Sequence, residues 1–292
     1  MMARTRRWLL GAGGIAALAA MSGCTRLGAL NGLNAVTPGD GDTDRVARDI
    51  AFGSDARQQL DIYAPAGAKA APVIVFFYGG SWASGRRQDY EFAARALAAR
   101  GFVVVVPDYR LVPQVRYPAF VEDGAAAVAW TVANIARHGG DPQRIATMGH
   151  SAGGYIAVLL ALEPRWLAAA GAPGAIKAAV GLAGPYDFAP FKPGGAADDA
   201  FGHFPDIPAT QPITHARAGA PPLLLLTGDE DSTVLPRNVA ALAAAQQKLG
   251  SPVETKTYPG IGHIGIILAM SKPFRGKAPV VADTAAFLGR VL

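Results

Sequence analysis

The sequence predicts an α/β fold with a mostly parallel central sheet covered by helices on both faces. Three observations predict it. Short continuous apolar runs alternate with helix-length amphipathic stretches along the chain. Glycine or proline stands at the junctions, as at Gly79-Gly80, Gly101 and Pro118. A chain of 292 residues that is 51% apolar is also long enough to bury one large core.

The elements follow in order. Residues 60–63 (LDIY) read as an early strand and 73–78 (VIVFFY) as a fully buried one, stopped by Gly79-Gly80. A helical stretch over 90–100 ends at Gly101, the residue that best tolerates the left-handed turn closing a helix, and 102–106 (FVVVV) returns as a strand. Pro118 opens an alanine-rich helix running to Arg137, and His138-Gly139-Gly140-Asp141-Pro142 breaks it. Residues 145–148 form a short strand leading into Gly149, and 155–162 a helix. Further strands are expected at 178–182, 223–227 and 253–258, with helices at 237–249 and 283–291. Residues 185–222, rich in proline, glycine and aromatics, interrupt the rhythm and read as a lid-like insertion near the site.

Ahead of this body lies a different kind of sequence. Arg4, Arg6 and Arg7 precede an apolar stretch from Trp8 to Met21, and small residues lead to Cys24. That layout predicts an export signal over 1–23, a flexible tether over 24–45 and a catalytic domain over 46–292. Met21-Ser22-Gly23-Cys24 resembles a bacterial lipobox, and residues 5–10 (TRRWLL) resemble a twin-arginine signal. The resemblance implies a lipid on Cys24 and an exported, membrane-anchored protein facing the periplasm or cell exterior. An ordinary cleaved signal or an uncleaved anchor is the alternative, although the apolar stretch falls short of the roughly 20 residues needed to span a bilayer. Cys24 is the only cysteine, which excludes an intramolecular disulfide.

The formal charge of +5 comes largely from this leader. Three of the 27 basic residues precede Cys24 with no acid before them, leaving 24 against 22 acidic residues and a net charge of +2. No basic stripe with interleaved aromatics follows, so nucleic acid is not an expected partner. No histidine, cysteine or carboxylate cluster has metal-ligand spacing, and neither metal nor cofactor is expected.

The chemistry is expected at Gly149-His150-Ser151-Ala152-Gly153, a G-x-S-x-G pattern between an expected strand and an expected helix. A serine nucleophile must project above the sheet on a sharp strand-to-helix turn, and the close backbone approach there requires glycine on either side. Its hydroxyl is a poor nucleophile until a histidine, oriented by a carboxylate, takes the proton. Of the five histidines, His138 and His150 precede Ser151, and His203 and His215 lie in the insertion. His263 follows the last expected strand, in the Ser, acid, His order that such elbows use. The acid belongs on the loop after 223–227, where Asp229, Glu230 and Asp231 compete. Asp231 is the choice, because Asp229 sits close to the strand end and Glu230 points away from its neighbours. Asp229 is the runner-up.

Backbone N–H groups are expected to meet the oxyanion, and Tyr78-Gly79-Gly80-Ser81-Trp82 follows a buried strand as such a loop does, with the N–H of Ala152 completing it. From about Arg48 onward the chain resembles the hormone-sensitive-lipase-like and formamidase-like branch of α/β-hydrolase carboxylesterases. The motifs that carry this are 78–82, Pro107-Asp108-Tyr109-Arg110-Leu111, the serine elbow, and Gly228-x-x-Asp231-x-x-Val234 followed by Gly262-His263. The resemblance implies Gly80 and Ser81 as oxyanion donors. It departs at Tyr78, which stands where the family has histidine.

Asp108, Tyr109 and Arg110 are expected to brace a loop, Glu122 and Asp123 to favour a helix N-terminus, and Asp187 to serve a turn. Trp82 and Tyr186 are the expected substrate contacts, with Phe188, Phe201 and Phe204 as further candidates for an acyl pocket. The reading is a serine carboxylesterase acting on small, short-acyl esters. An arylformamidase-like amidase or carbohydrate-ester deacetylase would use the same residues, and a non-catalytic binding module on the same fold is the alternative outside enzymes.

Overall fold

The computed structural model describes residues 31–32, 36–37 and 39–292. The expected signal, Cys24 and the first part of the tether lie outside the described residues. Eight strands form one sheet: β1 (Thr43–Ala51), β2 (Gln59–Pro65), β3 (Ala71–Phe77), β4 (Val103–Pro107), β5 (Gly140–His150), β6 (Ile176–Leu182), β7 (Leu223–Gly228) and β8 (Val253–Tyr258). Their spatial order is β1-β2-β4-β3-β5-β6-β7-β8. β1 and β2 pair antiparallel, as do β2 and β4, and every pairing from β4 through β3 to β8 is parallel.

The helices are α1 (Glu91–Ala98), α2 (Ala119–Asn134), α3 (Ala152–Leu162), α4 (Pro164–Ala169), α5 (Ala196–Phe201), α6 (Arg237–Lys248), α7 (His263–Leu268) and α8 (Val280–Val291). α2 packs on α3 and α4, while α8 packs on α1. The central strands are buried along their length because both faces are covered, which is why their sequences are continuous apolar runs rather than alternations. α3 is buried at all eleven positions (AGGYIAVLLAL), as a helix wedged between the sheet and other helices must be.

The sheet begins earlier than the sequence suggests. β1 starts at Thr43, so the end of the expected tether is an edge strand, and its alternating burial shows why it escaped notice. Asp44, Arg45, Arg48 and Asp49 give it the charged character by which an edge strand avoids pairing with other chains, and that reads as polar linker. Asp40 is likewise docked, its carboxylate accepting two hydrogen bonds from Arg275 at 2.6 and 2.8 Å.

The parallel arrangement brings the C-terminal ends of β3, β5, β7 and β8 to one side, where the loops carrying Gly80, Ser151, Asp231 and His263 emerge. Ligand sites of open α/β sheets form along that edge. The insertion between β6 and β7 is tied over it. Asn238 of α6 accepts hydrogen bonds from the N–H groups of Tyr186 and Asp187, both at 2.9 Å, and Gln211 accepts from Phe188 and Ala189. Among the described residues no helix is long and apolar enough to cross a membrane.

Candidate active site

Ser151 sits between β5 and α3 with φ of +54°, a left-handed conformation that costs a non-glycine residue on the order of 1–3 kcal/mol and persists only where the surroundings impose it. Its N–H is held by the Leu182 carbonyl at 2.8 Å. A Cβ at Gly153 would collide with the carbonyls of Phe77 and Tyr78, and one at Gly149 with the backbone of Gly153. The glycines therefore let strand, elbow and the loop after β3 approach more closely than any side chain permits.

The line from serine to acid is continuous. His263 Nε2 lies 2.9 Å from Ser151 Oγ, and His263 Nδ1 lies 2.8 Å from Asp231 Oδ2. The other carboxylate oxygen of Asp231 accepts the N–H groups of Thr233 and Val234 at 2.9 and 2.8 Å. Burial pushes the Asp231 carboxyl up, but the hydrogen bond from His263 and the two backbone donors outweigh it, and the net pKa is lowered. An ionised carboxylate thus meets the imidazole. Asp229 does other work, accepting the Gly260 N–H at 2.7 Å and so bracing the loop that delivers His263.

The loop after β3 supplies the remaining part. Gly80, Ser81 and Trp82 have φ of +140°, +54° and +57°, three consecutive residues in the left-handed half of the map. The Gly80 carbonyl closes this turn by accepting from the N–H groups of Ala83 and Ser84 and from Ser84 Oγ, each at 3.0 Å. The Gly79 N–H goes to Tyr90 Oη at 3.1 Å. Among the described residues, the N–H groups of Gly80, Ser81 and Ala152 have no partner within the protein. They are available to a developing negative charge.

Tyr78 answers for the missing histidine. It is buried, stacks on Tyr109 at 4.6 Å, and its hydroxyl accepts from Arg57 Nη2 at 2.7 Å. Arg57 also donates to the carbonyls of Tyr109 and Gly85, while Tyr109 Oη donates to the Tyr78 carbonyl at 2.8 Å. The loop after β3 is thereby clamped at both ends. Asp108 is engaged by buried Arg87 through its backbone N–H and its guanidinium, so Asp108 and Tyr109 brace as expected. Asp123 does not act on a helix terminus. It is buried, paired with Arg110 at 2.7 Å, and also accepts from Gln58, which makes it an internal anchor.

Sequence reasoning missed a second line. His150 Nε2 lies 3.0 Å from the His263 carbonyl, which can only accept, so Nε2 carries the proton and Nδ1, 3.3 Å from Tyr90 Oη, is the acceptor. Tyr90 thus connects Gly79 of the loop after β3 to His150, which in turn holds the backbone of His263. The one visible signal was the presence of His150 inside the elbow itself. Burial, and next the neighbouring His263, push the His150 pKa down to about 3. The unfolded chain takes up this proton near pH 6.5 and the native protein only near pH 3. The associated stability is complete above pH 6.5 and is lost progressively as pH falls toward 3, by at most about 1.4 kcal/mol per pH unit. Urea unfolding between pH 7 and 5 is expected to show a shallower decline for His150→Asn than for the parent. Equal slopes would contradict the neutral assignment.

The remaining histidines are occupied elsewhere. His203 Nε2 faces the Tyr117 carbonyl, His215 pairs with Glu163 at 2.7 Å, and His138 stacks on Trp130. Among the described residues no group of three or more metal-ligating side chains is assembled.

A cleft of about 300 Å³ opens at Ser151. Ser81, Trp82 and Ala152 line one part, Pro185, Phe188, Pro190, Phe191 and Lys192 of the insertion another, and Val234, Leu235, Arg237 and Asn238 a third. Trp82 is where the sequence places it. Tyr186 is not: it is fully buried, its hydroxyl seated in the space left by Gly181 and Gly184, and Phe188 takes its expected position on the cleft. Phe201 lies in the core against Trp82 and Tyr117, and Phe204 packs edge-on against Tyr117.

With this geometry in view, comparison with known proteins decides the family. The BD-FAE family profile matches residues 60–245. The chain belongs to the BD-FAE family. This span holds Ser151, Asp231 and the loop 78–82, and ends before His263. The chain is 31% identical over 238 residues to esterase LipC of Mycobacterium tuberculosis, covering 74% of this chain and 59% of that protein. It is 30% identical over 261 residues to the isoprenylcysteine alpha-carbonyl methylesterase ICME of Arabidopsis thaliana, covering 82% and 61%. It therefore spans about three fifths of the length of these curated relatives. Among solved structures, a truncated carbohydrate esterase from gut microbiota superposes with a TM-score of 0.75 at 21% identity, over 87% of this chain and 98% of that one. The fold is that of the α/β-hydrolases.

Proposed function

We propose that this BD-FAE protein is a serine carboxylesterase that hydrolyses small, short-acyl esters through an acyl-enzyme. The observation that carries the reading is the continuous line Asp231–His263–Ser151, with contacts of 2.8 and 2.9 Å, at a cleft lined by Ser81 and Ala152, whose N–H groups, like that of neighbouring Gly80, have no partner among the described residues. Named esterases among its relatives support it.

Ser151 Oγ attacks the ester carbonyl carbon while its proton passes to His263 Nε2, and Asp231 holds the imidazole in the tautomer that leaves Nε2 free to accept. The carbonyl π electrons move onto oxygen, where the N–H groups of Gly80, Ser81 and Ala152 stabilise the charge, each worth on the order of 10²–10³ in rate. Collapse expels the alcohol, which takes the proton from His263 and leaves Ser151 acylated. Water, deprotonated by His263, then attacks the acyl carbon and releases the acid.

Short acyl groups are favoured because the cleft is small and walled by Phe188, Phe191 and the prolines of the insertion. A p-nitrophenyl ester series from acetate to laurate tests this. Turnover is expected to peak at or below the butyrate. Faster hydrolysis of laurate than of butyrate would refute the chain-length part, and a folded protein inert on every ester would refute the whole reading.

A further inference from the structure

Two cations stand on the cleft with no acidic side chain among the described residues paired to them. Lys192 of the insertion and Arg237, the first residue of α6, both line it and both are exposed. Among the described residues neither side chain has an ion pair or a hydrogen bond. Buried and half-buried arginines elsewhere are paired: Arg87 with Asp49, Asp61 and Asp108, Arg110 with Asp123, Arg275 with Asp40. No aspartate or glutamate lines the cleft. The nearby Asp198 is turned to the Gly194 N–H, which it accepts at 2.9 Å, and Asp187 and Asp199 do not reach the lining.

Two like charges on a cleft whose other walls are largely apolar produce a positive potential that low-dielectric surroundings focus rather than dissipate. Holding them unpaired gains nothing for the fold. An anion entering with the substrate meets attraction from both, and a guanidinium can grip a carboxylate through two parallel hydrogen bonds. Trp82, Phe188 and Phe191 line the same cleft as the two cations and Ser151.

Building on the esterase reading, we infer that the site selects esters that carry a carboxylate remote from the scissile carbonyl, with Lys192 and Arg237 as the residues that recognise it. The scissile group lies at Ser151, the apolar middle against Phe188 and Phe191, and the carboxylate at the two cations.

Matched substrate pairs test this with the whole protein at low ionic strength. The p-nitrophenyl monoester of glutarate against p-nitrophenyl valerate places the charge on the acyl side, and 4-acetoxybenzoate against 4-acetoxybenzamide places it on the alcohol side. In at least one pair kcat/KM for the anionic member is expected to exceed that for the neutral one by roughly fivefold to tenfold, the scale of two partly screened charge contacts. That ratio is expected to shrink toward one in about 0.5 M NaCl, where the screening length is only a few ångströms. It should shrink likewise in the Lys192→Gln/Arg237→Gln double variant, whose changes fall on exposed side chains. Turnover with no charge preference in either pair, or a preference that survives the double substitution, overturns this inference alone. No turnover of any of the four esters overturns the esterase reading and this inference with it.

Discussion

Ser151→Ala is expected to lower kcat for ester hydrolysis by roughly 10⁴–10⁶-fold, because removal of a nucleophile removes the covalent route and leaves only what the oxyanion donors and binding supply. The loss should not be one of folding. Among the described residues the Ser151 side chain has one polar partner, His263 Nε2 at 2.9 Å, and the strain of its φ of +54° is borne by the backbone, which alanine shares. Unfolding midpoints of parent and variant should therefore agree while kcat collapses. A fluorophosphonate should add one group to the parent, on the tryptic peptide holding Ser151, and none to the variant. Activity within tenfold of the parent would place the nucleophile elsewhere.

Asp231→Asn is expected to cost about 10⁴ in kcat with little change in KM. The physical cause is tautomeric. An asparagine whose oxygen keeps the N–H groups of Thr233 and Val234 must present its NH₂ to His263 Nδ1, which then has to be the acceptor. The imidazole proton moves to Nε2, where it points at Ser151 and can no longer receive the serine proton. Asp229→Asn is the control, because Asp229 contacts the Gly260 N–H rather than the imidazole. Its effect should be well under that of Asp231→Asn. The reverse ranking would exchange the two assignments.

Much of this was legible in the chain. The buried strands announced themselves as apolar runs, since a parallel sheet covered on both faces leaves no solvent side to demand polar residues. The serine elbow was legible because its requirements are local: a strand, a left-handed serine, close-approach glycines and a helix occupy consecutive positions. His263 and Asp231 followed from their order after the last two strands. β1 was not legible, because an edge strand protected by Asp44, Arg45, Arg48 and Asp49 resembles a linker. Tyr186 was misplaced for a related reason. An aromatic beside a site looks the same in sequence whether it faces the cleft or fills the space over Gly181 and Gly184.

By itself the sequence determined the order of the elements and the local shape of the serine elbow, since both are set by near neighbours along the chain. Tertiary structure alone decided which of the competing groups meet. Arg57 braces Tyr78 and Tyr109 across 21 and 52 positions, His150 reaches the His263 carbonyl across 113, and His263 reaches Ser151 across 112. Hydrogen bonds act over about 3 Å. Separations of that order in sequence become contacts only when the parallel sheet brings the ends of its strands to one edge.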